Sequence, residues 1–269
     1  MNMQNDGILR VLFIGDIVGR QGRKAVRQLL PGLKQELSID FTIGNCENAA
    51  GGFGLTKKLA DELTEAGVDV MTSGNHIWDR KEIVPYLDAM TNVLRPLNYP
   101  PGVPGRGRAI YEVGNVKICV VNLMGRVFMR AIDCPFRAID DLLSQLGDVC
   151  TIVDMHAEAT SEKIAMGWYL DGRVAAVIGS HTHVQTADER ILPGGTAYIT
   201  DAGMTGPFDS VIGIEKKAII ERFLTGIPAR FDAATQDVRF CGVVISIDPK
   251  TGRALDIKRL QRSVQTEDA

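Results

Sequence analysis

Six short apolar runs, rich in Val and Ile, punctuate the chain at residues 8–14, 39–43, 68–72, 116–122, 149–155 and 174–178. Each has the length and β-branched content of a buried strand and ends at Gly, Ser, Asn or a charged residue. Helical patterns separate several of them, over 23–30, 56–66, 81–90 and 161–170. Thr56 stands where an N-cap belongs, with Leu59, Leu63 and Ala66 following on one face, and Gly67 and Gly172 stand where helices should end. Such alternation predicts a substantially parallel sheet with helices outside it. The second half departs from the pattern, because Gly114-Asn115 and the turn over 248–252 read as hairpins. Mixed pairing of that kind predicts two sheets packed face to face and flanked by helices. No linker, low-complexity tract or internal repeat interrupts the chain, so residues 1–269 read as one domain, with polar, mobile tails at 1–6 and from about 262 to 269. The stretches 96–108 and 125–137 read as long connections, of the kind that wall substrate sites.

Composition narrows the class. At 45% hydrophobic and 23% charged, the sequence is that of an ordinary globular protein. A net charge of -3 gives no general attraction for nucleic-acid backbones, so any nucleotide recognition must be local. The start lacks the basic-then-apolar order of a signal peptide and no apolar run approaches a membrane span, which predicts a cytoplasmic protein. Five scattered cysteines (Cys46, Cys119, Cys134, Cys150, Cys241) form no C-x-x-C pair and read as reduced, mostly buried thiols.

The chemistry lies where the strands end. Asp16 follows the first run, Glu47-Asn48 the second and Asn75-His76 the third. His156 closes the run 149–155, while His181 and His183 follow 174–178. These are all four histidines of the chain. In open α/β sheets ligand sites lie beyond the carboxyl ends of the strands, so these side chains are predicted to converge at one edge. Two carboxylates, two amides and four imidazoles without a thiolate cluster exclude a structural zinc knuckle and suit Fe, Mn, Zn or Co. That many donors suffice for two ions about 4 Å apart, an arrangement suited to activating a bridging hydroxide and clamping a phosphoryl oxygen.

The same residues, read as Gly-Asp … Gly-Asn-His … His … Gly-x-His-x-His, resemble the calcineurin-like metallophosphoesterases, and most closely their bacterial YmdB-type branch. The matching segments are FIGDIVGRQGR, GNCENAAGGFGLT, TSGNHIWDR, NLMGRVFM, DMHAEATSEK, GSHTHVQTADERILPGGTAYITDAGMTGP and DSVIG, which together extend from about Leu9 to Leu260. The resemblance implies an α/β fold in the form of a four-layer α/β/β/α sandwich with a dinuclear centre at the strand ends. It implies that Asp16, Glu47, Asn48 and His183 hold one ion and that Glu47, Asn75, His156 and His181 hold the other, with Glu47 bridging. His76 would then be the proton donor to the leaving oxygen. Two departures from the wider superfamily stand out. Its Asp-x-His motif here reads Asp16-Ile17-Val18, and its bridging Gly-Asp is replaced by Glu47-Asn48, so that Asn48 fills the place of a missing imidazole. An amide oxygen is a harder donor, which favours iron or manganese over zinc.

For activity, the resemblance implies hydrolysis of 2′,3′-cyclic nucleotides to 3′-nucleotides by a metal-bridging hydroxide. The alternatives are a broad phosphomonoesterase and a regulatory protein that binds RNA or a protein partner with catalysis secondary. The expected partners are a small cyclic nucleotide, RNA ends as a further substrate, and a second copy of the chain in a homo-oligomer, with no membrane. Phe128, Trp168 and Tyr169 are the candidates for stacking on a base, and Arg126 for reaching a phosphate. The segment 158–163 has the look of a helix-capping sequence, and 203–207 of a tight loop beside the metals.

Overall fold

The structure, a computed structural model, describes residues 7–264. Among them, two mixed sheets pack face to face. The first runs in the order β2 (Asp16–Ile17), β11 (Met204–Pro207), β12 (Val238–Ile247), β1 (Leu9–Ile14), β3 (Phe41–Asn45) and β4 (Val70–Thr72), with β13 (Ala254–Ser263) also paired to β12. The second runs β5 (Arg108–Val113), β6 (Val116–Met124), β7 (Cys150–His156), β8 (Ala176–Ser180), β10 (Ala197–Ile199) and β9 (Arg190–Ile191). Strands β1, β3 and β4 are parallel, as are β6, β7, β8 and β10, while the predicted hairpins β5–β6 and β12–β13 supply antiparallel pairs. All six apolar runs are strands.

The period-2 alternation of the strands divides the core into three layers. From β1, Val11 and Phe13 face the opposite sheet, whereas Leu12 and Ile14 face helices α1 (Gly19–Glu36) and α2 (Lys57–Glu65). From β6 and β7, Ile118, Val120 and Ile152 enter the layer between the sheets. Their neighbours Cys119, Val121 and Val153 pack beneath α3 (Pro135–Leu146) and α4 (Thr160–Tyr169). Helices thus cover both outer faces, giving the expected four-layer sandwich.

Several local expectations change. The stretch 125–137 is not wholly a connection, because Pro135 opens α3 at its first helical position, where a missing N–H costs nothing. The pattern over 81–90 forms only a 3₁₀ helix, Lys81–Tyr86; Pro85 lies within it and denies an α-helix a backbone donor. Thr56 does cap α2, accepting from the Leu59 N–H at 3.3 Å. The segment 158–163 does not cap with a side chain: Ala159 is the N-cap of α4, and Glu162 instead accepts the backbone N–H groups of Arg126 and Val127. Helix α5 (Lys216–Thr225), unforeseen in the sequence, buries none of its residues. Strand β13 continues through Ser263, past the expected start of the C-terminal tail, and the expected tail residues 1–6 and 265–269 lie outside the described residues.

Candidate metal centre

The parallel strands of both sheets point their carboxyl ends the same way, and every predicted site residue follows one of those ends. The first sheet contributes oxygen donors: Asp16 after β1, Glu47 and Asn48 after β3, Asn75 after β4. The second contributes imidazoles: His156 at the end of β7, His181 and His183 after β8. Asp16, Glu47 and His156 are wholly buried, and Asn48 is 2% exposed.

Two groups of donors result, joined through Glu47. In one, His156 Nε2 lies 3.1 Å from Glu47 Oε1, 3.2 Å from Asn75 Oδ1 and 3.1 Å from His181 Nδ1. Glu47, His156 and His181 are the group whose donor atoms, among the described residues, come close enough together to hold an ion. In the other, His183 Nε2 sits 3.1 Å from the Asn48 amide and 3.7 Å from Asp16 Oδ1, while that amide reaches Glu47 Oε1 at 3.5 Å. The Asn48 oxygen reaches the same place by a half-turn of its amide.

His76 stands apart from both groups. Its Nδ1 donates to Asp79 Oδ2 at 2.7 Å and its ring meets Phe53 edge-on at 5.0 Å, while its backbone N–H is spent on Glu47 Oε2 at 2.9 Å. Side-chain ligation is thus not what places His76 here.

The electrostatics follow from burial and opposed charge. Burial pushes the Glu47 carboxyl up, but His156 outweighs it and holds the group at about 2. Burial likewise disfavours a charged His156, yet Glu47 draws a proton onto it and raises it to about 9. His181 falls to about 3, through burial and the charge of His156 beside it. Burial raises Asp16, against the pull of His183 and His156. Asp16 Oδ1 is buried with no hydrogen-bond partner, the condition of an oxygen that awaits a cation. A neutral His156 would also face the Glu47 and Asn75 oxygens with a lone pair, an arrangement that a cation relieves. The site therefore fits metal ions.

The loop carrying His181 and His183 is not extended. Both residues have positive φ, 100° and 65°, a conformation costing roughly 1–3 kcal/mol for a non-glycine residue. Surrounding bonds impose it. Thr182 donates its N–H and hydroxyl to Asp201 Oδ2 at 3.0 and 2.7 Å, and the buried Lys163 Nζ binds the same oxygen at 2.7 Å. The His181 N–H goes to Asp16 Oδ2, and His183 Nδ1 donates to the Ile212 carbonyl at 2.9 Å, which leaves its Nε2 facing Asp16.

Asp79 and Asp201 are given no role by the sequence, and Glu158 and Lys163 only a place in the capping segment 158–163. Glu158 Oε2 lies 3.1 Å from His181 Nε2, so it fixes which nitrogen His181 turns inward. Asp79, Glu158 and Asp201 partner motif residues directly and Lys163 does so through Asp201; Asp79 and Glu158 lie within three residues of motif histidines, while Lys163 and Asp201 gave no comparable signal. Of the aromatic candidates, Trp168 and Tyr169 are engaged elsewhere: Arg190 covers Trp168, and Tyr169 packs on Phe136 and binds Asp140. Phe128 is 89% exposed, while the Arg126 guanidinium touches Cys134 rather than the metal donors. Four of the five cysteines are buried and all are free; burial pushes the Cys46 thiol well above its ordinary range, as befits a core residue.

The chain is 49% identical over 254 residues to the 2′,3′-cyclic-nucleotide 2′-phosphodiesterase of Bacillus subtilis, covering 94% of this chain and 96% of that one. A crystal structure of a hypothetical protein from Thermus thermophilus superposes with a TM-score of 0.90 at 46% identity, covering 95% of this chain and 99% of the other. A crystal structure described as a novel phosphatase of Mycoplasma pneumoniae gives a TM-score of 0.91 at 35% identity, covering 95% and 94%. A family model described as YmdB-like protein matches residues 12–260, and with relatives this similar over almost its whole length, the chain belongs to the YmdB-like family.

Proposed function

We propose that this single-domain chain is a metal-dependent phosphodiesterase that opens 2′,3′-cyclic nucleotides to 3′-nucleotides. The observation that carries the reading is the pair of donor groups joined by Glu47, with a further, non-ligating residue, His76, held beside them by Asp79. The B. subtilis relative bears that activity in its name. Asp16, Glu47, Asn48 and His183 would hold one ion, and Glu47, Asn75, His156 and His181 the other. When bound, two such ions supply a nucleophile from water at neutral pH and neutralise charge on phosphoryl oxygens. The oxygen-rich set, with Asn48 in place of an imidazole, favours iron or manganese; metal analysis that finds only zinc in protein purified without added metal counts against this.

The chain's own groups do the rest. Asp79 accepts from His76 Nδ1 and thereby orients the ring, leaving Nε2 to donate a proton to the departing 2′ oxygen. Phe53 packs against the same ring and limits its rotation. A ribose alkoxide is a poor leaving group that needs this proton, whereas p-nitrophenolate does not. His76→Ala should therefore slow 2′,3′-cyclic nucleotide turnover by about 10²–10⁴-fold while sparing bis-p-nitrophenyl phosphate. Equal losses on both would remove His76 from the acid's role. A panel of 2′,3′-cyclic nucleotides, 3′,5′-cyclic nucleotides and monoesters, with metals defined, tests the substrate class; faster turnover of monoesters would favour the phosphomonoesterase reading.

The homo-oligomer reading is supported by α5, whose Phe223 and Leu224 are more than 80% exposed, and sedimentation tests it. No described helix is long and apolar enough to cross a membrane.

A further inference from the structure

The apolar layer between the sheets ends abruptly on the site side. Ile43 and Val70 of the first sheet and Ile152 and Ile178 of the second belong to that layer. Two residues further along each strand, on the same face by the period of a strand, stand Asn45, Thr72, Asp154 and Ser180, all wholly buried. Two residues beyond Asp154, on the same face of β7, is His156. A polar plug thus separates the core from the candidate metal position.

Its hydrogen bonds have a consistent assignment with Asp154 as the acceptor. An ionised Asp154 carries no proton, so its neighbours must donate to it. Thr72 Oγ1 does so at 2.5 Å and Asn45 Nδ2 at 3.1 Å, both to Oδ2 and both from the opposite sheet. Ser180 Oγ donates to Oδ1 at 2.6 Å. The single hydroxyl proton of Ser180 is then spent. Its oxygen, 2.9 Å from His156 Nδ1, then accepts; Asn45 Nδ2 also stands 3.3 Å from Nδ1, but its second hydrogen has the Ser180 oxygen at the same 3.3 Å, so a ring hydrogen on Nδ1 satisfies the contacts together. What remains of the imidazole, Nε2, is the nitrogen directed at Glu47, Asn75 and His181.

We propose that Asp154 is a positioning residue: acting through Ser180, it commits the Nδ1 hydrogen of His156 away from the site and so presents Nε2 to the metal, while Thr72 and Asn45 only tie its carboxylate to the other sheet. This rests on the metal reading above. The carboxylate never touches substrate or ion. Its effect is to remove the alternative tautomer and to prevent rotation of the ring, both of which a buried, uncommitted imidazole would otherwise sample.

The test uses the full chain loaded with zinc, a diamagnetic ion, as wild type and as Ser180→Ala, Asp154→Asn and Thr72→Val. Zinc affinity is read by competition with a chelator, and the His156 Nδ1–H as a slowly exchanging proton resonance. Ser180→Ala and Asp154→Asn should each weaken zinc binding by about 10–100-fold and shift or abolish that resonance. Thr72→Val contacts the same carboxylate but not the relay, so it should lower the melting temperature and leave zinc affinity within about threefold. If Ser180→Ala does not fold, Asp154→Asn carries the comparison, since Asn keeps the side-chain volume. Unchanged affinity with an unmoved resonance overturns the proposal. So does an equal loss in Thr72→Val, which would reduce the plug to a structural seam. Failure of the wild type to bind zinc, iron or manganese would instead sink the metal reading itself.

Discussion

Gly74 offers the sharpest test of the site, because a single methyl group there falls where the ligands meet. A Cβ built on Gly74 would lie 2.0 Å from His156 Cδ2, 2.1 Å from His156 Nε2 and 2.6 Å from Glu47 Oε2. The backbone itself imposes no bar, since Gly74 does not adopt a positive φ. The cost of Gly74→Ala is therefore purely steric. To restore ordinary contact the imidazole must retreat by about 1.4 Å. It has nowhere to go: His156 is wholly buried and its Nδ1 is held to Ser180 at 2.9 Å. The alternative is for the backbone to retreat, which carries off Asn75 and pulls the His76 N–H from Glu47 Oε2.

Overpacking of this kind costs about 1–3 kcal/mol. Against a typical stability of about 5–15 kcal/mol that leaves nearly all molecules folded, with a melting temperature lowered by several degrees. Displacing a reacting or ligating group by about 1 Å, in contrast, costs on the order of 100-fold in rate. The prediction is a folded protein with a depleted metal content and at least that loss of phosphodiesterase turnover. Elemental analysis, a thermal melt and a bis-p-nitrophenyl phosphate assay measure the three quantities. A Gly74→Ala protein with full metal content and wild-type turnover would refute the convergence of Glu47 and His156 on one ion.

Two further outcomes follow from the same geometry. Glu158→Ala frees His181 Nε2 from its carboxylate partner and should weaken metal binding by about 10–100-fold, with Glu158→Gln restoring most of it, as read by chelator competition. In metal-free protein, Glu47 raises His156 to about 9, against burial, from an ordinary 6.5. A raised histidine stabilises fully below its unfolded pKa and loses that contribution as pH climbs through its folded one. The melting temperature of metal-free protein should thus decline between pH 6.5 and 9, whereas loaded protein, in which the ion replaces that proton, should not show the same decline.

The strands were legible because each carries apolar residues on both faces, buried against a sheet on one side and helices on the other. That pattern also located the site, since polar residues intrude where the runs end. Helix α5 was not legible: it buries none of its residues, so its apolar residues follow no core-facing stripe. The plug beneath His156 was equally hidden. Asp154 lies inside an apolar run, and its partners Asn45 and Thr72 are 109 and 82 residues away. Nothing local distinguishes a buried carboxylate with three donors from one that merely ends a strand. The Ser180-His181-Thr182-His183 motif showed the opposite case. Its residue types were informative, but its backbone is set by Asp201 and Lys163, which only the fold brings near.

The division of donors between sheets has a consequence for stability. Oxygen donors come from the first sheet and imidazoles from the second, so ions held by both groups would join the two sheets across their seam. Ligand bound only by the folded state stabilises it by about 2.7 kcal/mol at 100 times its dissociation constant. Part of that energy must be local, because the bonds it reinforces are the His76 N–H to Glu47, the His181 N–H to Asp16 and the Thr182 N–H to Asp201. The apolar layer below, through Val11, Phe13, Ile43 and Ile152, holds the sheets together without help from an ion. Metal removal should therefore speed hydrogen exchange at the amides of His76, His181 and Thr182 by up to about 100-fold, while the central amides of β1, β3 and β7 change far less. Uniform acceleration along the strands would mean that the ions support the whole fold rather than the seam at its catalytic end. No change at the three amides would mean that the sheets meet there without them.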